Sequence, residues 1–360
     1  MNDHGLFLSA AGRRETDATR PQSRQIKPVF IVGQWKCGTT WLLNIFNCHP
    51  QAFGIDEIDI VRAACDFIDT AAHPASVEDR LQRFFNLSGW SLYYHNSEWR
   101  NTSLVSQLER GVELQTVAQS PLRPQKAINL PSAVVHRLYQ KIKAAHSPEE
   151  AMDAFLEGVS AKASEDRRYV VLKAADQIAV FDVLKRWRPE AAKIVITRDG
   201  RDAAISAYHF ERLMREKNAP WVAAQKELDY WGLLDHWRQR ADMILKRARS
   251  GELRVIRYED LTRDFAGTLK PLLQWLNLDD SEPVIEAINS QTSFKARTGR
   301  ERGNAAKSEM RKGAIGEWLD TLSAEDKERA WQKAGKQLAA LGYGIDGRIG
   351  PLPIEITNGN

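Results

Sequence analysis

The stretch Pro28-Val29-Phe30-Ile31-Val32-Gly33-Gln34-Trp35-Lys36-Cys37-Gly38-Thr39-Thr40-Trp41-Leu42-Leu43-Asn44-Ile45-Phe46 decides the fold. Its first residues form a short apolar run rich in β-formers, its last residues read as a helix, and a glycine-bounded turn joins them. A strand that turns through glycines into a helix offers backbone N–H groups and the positive helix end to an anion. Gly33 to Trp41 is therefore a candidate phosphate cradle. The nucleotide-hydrolase form of such a loop reads Gly-x4-Gly-Lys-Ser/Thr, with the lysine on the β and γ phosphates and the hydroxyl on magnesium. Gly33 and Gly38 keep that spacing, but Thr39 stands at the lysine position and the lysine lies earlier, at Lys36. The displacement argues against ATP hydrolysis and kinase chemistry.

The strand-then-helix pattern recurs outward from this point. Tyr169 to Leu172 precedes Val180 to Trp187, Lys193 to Thr197 precedes Ala203 to Phe210, and Leu253 to Arg257 precedes Phe265 to Leu276. Such alternation predicts an α/β fold, a central parallel sheet flanked by helices, with ligands beyond the carboxyl ends of the strands. Residues 60–165 break the rhythm with mostly helix-compatible polar sequence and an aromatic patch at Trp90, Tyr93, Tyr94 and Trp99. They read as a helical insertion over the acceptor side. Trp221 to Arg247 reads as one long amphipathic helix, with Trp231 and Trp237 packed in the core. Residues 290–316 carry seven Lys or Arg against two Glu with weak periodicity, which suits a basic flap. Ser323 to Leu341 returns to helix, with a Ser-x-x-Asp start. The expected organisation is a polar, flexible tail over 1–26, one domain over 27–345 and a C-terminal tail over 346–360.

Composition sets the bounds. A chain of 360 residues that is 43% hydrophobic can bury a large core. Its 51 basic and 47 acidic residues leave a net charge of only +4, too small an excess to point to nucleic acid. Three cysteines, Cys37, Cys48 and Cys65, without Cys-x-x-Cys spacing, speak against a disulfide framework or a zinc site. No run approaches the roughly 20 apolar residues that cross a bilayer, and the N-terminus lacks an apolar signal core. A cytoplasmic protein is expected.

Lys36-Cys37-Gly38-Thr39-Thr40-Trp41 resembles the 5'-phosphosulfate loop of the sulfotransferases that use 3'-phosphoadenosine-5'-phosphosulfate (PAPS), Lys-Ser-Gly-Thr-Thr-Trp, with Cys37 in place of serine. Three further islands follow in the family's order: Arg198-x-x-Arg201-Asp202 to Ser206, Thr292-Ser293-Phe294, and Arg311-Lys312-Gly313-Ala314-Ile315-Gly316-Glu317-Trp318, where Glu317 replaces aspartate. The resemblance runs from about Pro28 to Tyr343 and implies a P-loop-like sulfotransferase fold. It also implies roles. Lys36, Cys37, Gly38, Thr39 and Thr40 would hold the 5' side of PAPS, with Lys36 approaching the bridging oxygen. Arg198 and Ser206 would hold the 3'-phosphate, with Arg311, Lys312 and Gly313 closing over it. Trp41, Tyr258, Thr292 and Phe294 would receive adenine. A guanidinium suits phosphate because its planar donors engage two oxygens together.

Sulfuryl transfer resembles phosphoryl transfer in needing an in-line nucleophile, charge stabilisation at the leaving oxygen and a general base, and it requires no metal. In the small-molecule branch of the family the base is a histidine in Lys-Thr-His. Here Leu172-Lys173-Ala174-Ala175-Asp176 has alanine at that position, so that mechanism does not carry over intact. The carbohydrate branch uses a glutamate after His-Pro, and here His49-Pro50 is followed by Asp56-Glu57-Ile58-Asp59. Glu57 is the first choice as base, Asp176 the second and Asp59 the third. Lys173 would orient the sulfuryl oxygens. The implied partners are PAPS, its product adenosine 3',5'-bisphosphate (PAP) and a small-molecule, glycan or lipid acceptor, with no nucleic acid and a homodimer as a possible assembly. A nucleotide kinase or NTPase, or a nucleotide-binding protein without catalysis, are the rival readings.

Overall fold

The computed structural model describes residues 26–56, 59–70, 75–87, 94–95, 103–116, 131–160, 166–173, 177–218, 227–308 and 310–353. Five parallel strands form its central sheet: β1 (Lys27–Ile31), β2 (Ala52–Asp56), β5 (Tyr169–Lys173), β6 (Ala192–Thr197) and β7 (Arg254–Arg257), in the order β2-β5-β1-β6-β7. The two-residue strands β3 (Tyr94–His95) and β4 (Gln115–Thr116) pair separately and antiparallel. The helices are α1 (Thr39–Cys48), α2 (Ile60–Ile68), α3 (Val77–Leu87), α4 (Leu104–Glu109), α5 (Ser132–Lys143), α6 (Pro148–Ser160), α7 (Phe181–Trp187) and α8 (Gly200–Glu216). After these come α9 (Tyr230–Arg249), α10 (Tyr258–Arg263), α11 (Phe265–Trp275), α12 (Glu282–Thr292), α13 (Phe294–Thr298), α14 (Glu317–Thr321) and α15 (Ala324–Ala340).

The apolar runs are strands because the sheet is covered on both faces, and alternate side chains serve opposite layers. Phe30, Val170, Leu172 and Val195 pack into one core with α2, α3, α5 and α6, whereas Val29, Ile31, Val171, Ile194 and Ile196 pack into another with α1, α11 and α12. Trp237 is buried in a third cluster against α8 and α15, while Trp231 lies partly buried at its margin. β1 is central, with β5 and β6 as its two neighbours. The chain departs from it in both directions, so the crevice beyond its carboxyl end is the switch point at which such sheets bind ligands.

The structure corrects two expectations, both about where a helix starts, and adds two elements that the sequence left unassigned, β2 and α10. Ala52–Asp56 is an edge strand paired with β5 through Asp56 and Lys173, although its Ala-Phe-Gly-Ile-Asp sequence carries a strand-weakening glycine. Gly54 is needed because β2 runs so close to α1 that an added Cβ would meet Leu43 Cγ at 2.9 Å and Asn47 Nδ2 at 3.2 Å. The long helix starts at Tyr230, where the Asp229 side chain accepts the Gly232 N–H, and not at Trp221; residues 221–226 lie outside the described ones. The helix after β6 already begins at Gly200, capped by Asp199, and an additional short helix, α10, precedes α11. Among the described residues no helix is long and apolar enough to cross a membrane.

Replacing Gly54 with alanine should lower stability by about 1–3 kcal/mol, since the new methyl must displace Leu43 in a packed layer. A urea midpoint equal to that of the wild type would contradict this account of β2.

Candidate active site

The loop between β1 and α1 turns on two left-handed residues, Lys36 at φ 61° and Gly38 at φ 101°. Gly38 has no room for a side chain, because a Cβ would meet Tyr258 Cδ2 at 2.9 Å and Ile196 Cδ1 at 3.1 Å. It is also the N-cap of α1 and supplies no side-chain cap, leaving the first N–H groups of the helix to the loop's concave side. Gln34 anchors the loop from beneath, donating from Nε2 to Trp237 O at 2.7 Å. Cys37 is fully buried beside Ala203 and Trp237, with its thiol donating to Gln34 Oε1 at 3.5 Å. Its thiol therefore serves packing and does not line the cleft.

This loop forms one wall of a cavity of about 250 Å³ beyond the carboxyl ends of β1, β5, β6 and β7. Lys36, Gly38, Thr39, Thr40 and Trp41 line it from the loop, and Lys173 enters from the end of β5. Lys173 is 3% exposed, pairs with Asp56 at 2.9 Å and donates to Thr40 Oγ1 at 3.3 Å. The Lys36 ammonium stands 4.0 Å from the Phe210 ring centroid.

The opposite wall comes from the end of β6, from α8 and from the basic segment. Arg198 and Ser206 line it, with Arg311, Lys312 and Gly313 facing them. Arg198 donates to Ala314 O at 2.7 Å and lies 3.6 Å from Asp202, while its buried Nε has no hydrogen-bond partner among the described residues. Asp202 accepts the N–H groups of Gly316 at 2.7 Å and Trp318 at 3.0 Å, fastening the basic segment to α8. Burial pushes its carboxyl above the usual value, with Arg198 acting in the opposite direction. Glu317 pairs with Arg311 at 2.5 Å and Lys312 at 3.4 Å; burial alone would raise its carboxyl, but the two cations hold it below the ordinary value.

Between the two walls lie Trp41, Tyr258, Thr292 and Phe294. Trp41 meets Tyr258 edge-on at 5.5 Å, and Tyr258 donates its hydroxyl to Gly313 O at 3.0 Å. Seven cationic side chains line the cavity among the described residues, with Glu317 as the single carboxylate. The cavity is thus built for a polyanion with a planar group at its middle.

The structure brings together every candidate donor-site residue except Cys37. Of the candidates for base, Glu57 and Asp176 lie outside the described residues, as do Trp90, Tyr93 and Trp99. Asp59 is not among the lining residues; it caps α2, accepting the Arg62 N–H at 3.4 Å, and burial pushes its carboxyl up. Sequence reasoning missed Asn44, Phe210, Arg297 and Arg302, which also line the cavity. The cation excess of residues 290–316 was a signal for Arg297 and Arg302, but spacing alone does not say which cations turn inward. Asn44 has a signal in hindsight, since it follows Thr40 by one helical turn.

Beneath the cavity, Glu259 is completely buried and accepts hydrogen bonds from the Asp199 N–H at 3.0 Å and the Tyr343 hydroxyl at 2.8 Å. Desolvation raises its carboxyl to about 7, against the opposing pull of the Asp199 N–H and the Arg198 charge.

The fold and the site together define a parallel α/β protein with a cationic cleft at the switch point of its sheet, walled by a glycine loop on one side and a strand-end arginine on the other. Residues 27–342 match the model of the sulfotransferase domain, and the chain belongs to that family. It is 24% identical over 161 residues to sulfotransferase 1C2 of Homo sapiens, covering 40% of this chain and 53% of that protein. It is 23% identical over 174 residues to the amine sulfotransferase of Oryctolagus cuniculus, covering 43% of this chain and 57% of that protein. The chain thus spans about half the length of these curated relatives. Among solved structures it is similar to sulfotransferase STF9 from Mycobacterium avium, with a TM-score of 0.46 and 13% identity, covering 90% of this chain and 79% of that one.

Glu259 makes a pH prediction. Its folded value lies above that of an unfolded glutamate, about 4.3, so the protonated carboxyl favours the fold; this contribution is complete below that value and is lost as pH rises to about 7. Glu259→Gln should reduce the fall in unfolding free energy between pH 5 and pH 8 by about 2–3 kcal/mol. Identical pH dependence of the urea midpoint in both proteins would refute this.

Proposed function

We propose that the protein is a PAPS-dependent sulfotransferase, passing a sulfuryl group to an acceptor hydroxyl on a sugar, lipid or secondary metabolite and releasing PAP. One observation carries this reading: two cationic walls stand on either side of a slot of aromatic rings in a single cavity. PAPS has the matching layout, with a 3'-phosphate, a 5'-phosphosulfate and a purine between them. The buried Arg198 Nε without a partner is the vacant donor that a 3'-phosphate oxygen would fill, with Ser206, Arg311, Lys312 and Gly313 completing that end. Thr39, Thr40 and the amides at the start of α1 would hold the 5'-phosphate.

In this reading the acceptor oxygen forms its bond to sulfur as the bond from sulfur to the bridging oxygen of the 5'-phosphate breaks. The electron pair leaves on that oxygen, and the acceptor's proton passes to a carboxylate. Lys36 turns from Phe210 to the bridging oxygen; a half-buried cation–π contact is worth about 0.5–2 kcal/mol, which an ion pair with the departing oxygen offsets. Lys173, fixed by Asp56 and Thr40, stabilises the sulfuryl oxygens. Glu57 is the proposed base. It directly follows Asp56, the partner of Lys173, whereas Asp176 follows Lys173 by three residues and Asp59 is engaged as a helix cap. The chemistry calls for no metal, and the setting is the cytoplasm.

The decisive experiment is calorimetric. PAP should bind tightly without magnesium, and Arg198→Ala should weaken it by about 10- to 100-fold, the loss expected for a charge-assisted pair. Binding of ATP–magnesium with PAP ignored would instead establish a kinase or NTPase. For the base, Glu57→Gln should cut turnover of PAPS by at least about 100-fold with PAP affinity unchanged. Full activity in that variant would remove Glu57 from the mechanism, and no conversion of PAPS by the wild type with any acceptor would leave a nucleotide-binding protein without catalysis.

A further inference from the structure

Arg302 belongs to none of the motifs that point to the donor, yet its guanidinium occupies the middle of the cavity. It lies 4.8 Å from the Trp41 ring centroid, 5.5 Å from that of Tyr258 and 5.4 Å from that of Phe294. Its Nη1 donates to the Tyr258 hydroxyl at 2.5 Å and to Gly313 O at 3.2 Å. Rings from three separate elements, α1, α10 and α13, thus converge on one planar cation, and two oxygens fix it in place. A guanidinium and a purine make the same demand on such a slot, since both are flat and both stack on π-faces. They cannot occupy it together.

We propose that Arg302 is the resident occupant of the base slot and gates donor entry, so that nucleotide uptake is an exchange in which the purine displaces the guanidinium. The proposal rests on the donor reading above. Arg302 sits three residues beyond Gly299, a left-handed helix end, and next to left-handed Gly303, so its own stretch of chain belongs to no helix or strand. The basic segment around it is held separately. Arg300 donates to Arg311 O at 2.9 Å and Met310 O at 2.7 Å, and the Gly303 N–H donates to Lys312 O at 2.8 Å. The Arg302 side chain can leave the rings without dismantling these bonds. Once displaced it remains near the ligand as one more cation on a mobile stem.

The test compares PAP with inorganic pyrophosphate, which carries anionic charge but no base, by metal-free calorimetry on the full chain. In wild type, part of the stacking gained by the purine is offset by loss of the Arg302 contacts. In Arg302→Ala the affinity ratio of PAP to pyrophosphate should rise about fivefold to thirtyfold, the range set by a partly desolvated cation–π contact. Arg302→Lys keeps the charge and gives up the planar stack, so its ratio should rise as well. An unchanged or lowered ratio in either variant overturns the gate, a lowered one making Arg302 a ligand of the bound base. Failure of wild type and both variants to bind PAP at all would overturn the donor reading and, with it, the gate.

Discussion

Everything at the active edge depends on the loop crossing β6 without side chains in the way. A Cβ on Gly33 would meet Ile196 O at 3.0 Å and Thr39 Cγ2 at 2.9 Å, and one on Gly38 would press on Tyr258 and Ile196. These two contacts bring the start of α1 down onto the ends of β6 and β7, which carry Arg198 and Tyr258. A bulkier loop would lift the helix N-terminus away from the anion position and open the aromatic slot simultaneously. The glycines therefore set the distance between the two walls, and the cations merely occupy the walls so placed.

The cations themselves are supported by carboxylates behind them. Asp56 stands behind Lys173, Asp202 behind Arg198, and Glu317 between Arg311 and Lys312. Gathering like charges in a half-buried cleft is costly unless each is paired, and breaking a buried pair from one side costs more than the pair contributes. Asp202 has a second task, since its two bonds to Gly316 and Trp318 hold the basic segment over the cleft from a position 114 to 116 residues away in the chain. Charge compensation and positioning are thus achieved by the same side chains.

The core of this arrangement was legible in the sequence for a physical reason. A β-run, a glycine turn and a helical run differ sharply in period, and Lys36 to Trp41 is short enough that spacing translates into geometry. β2 was hidden because Gly54, required by the close approach of Leu43, erases the strand signal that Phe53 and Ile55 would otherwise give. The supporting carboxylates were hidden for another reason: Asp56 meets Lys173 only through the register of β2 on β5, and no local pattern encodes that pairing. Arg302 was invisible for the same cause, being one cation among seven until the fold turns it onto three rings. The inward turn of the Cys37 side chain was not legible either, because a motif position says nothing of which way its side chain faces.

The residues after α15 close the base of the site. Arg257 donates to Leu341 O at 3.2 Å and Gly350 O at 2.8 Å, Arg201 to Gly344 O at 2.8 Å, and Tyr343 reaches Glu259. All three recipients of this short segment, Arg201, Arg257 and Glu259, are buried. The smallest truncated form that retains a sound cleft must therefore extend to Gly350, eight residues beyond the family match, because cutting at Gly342 strips hydrogen-bond partners from buried side chains.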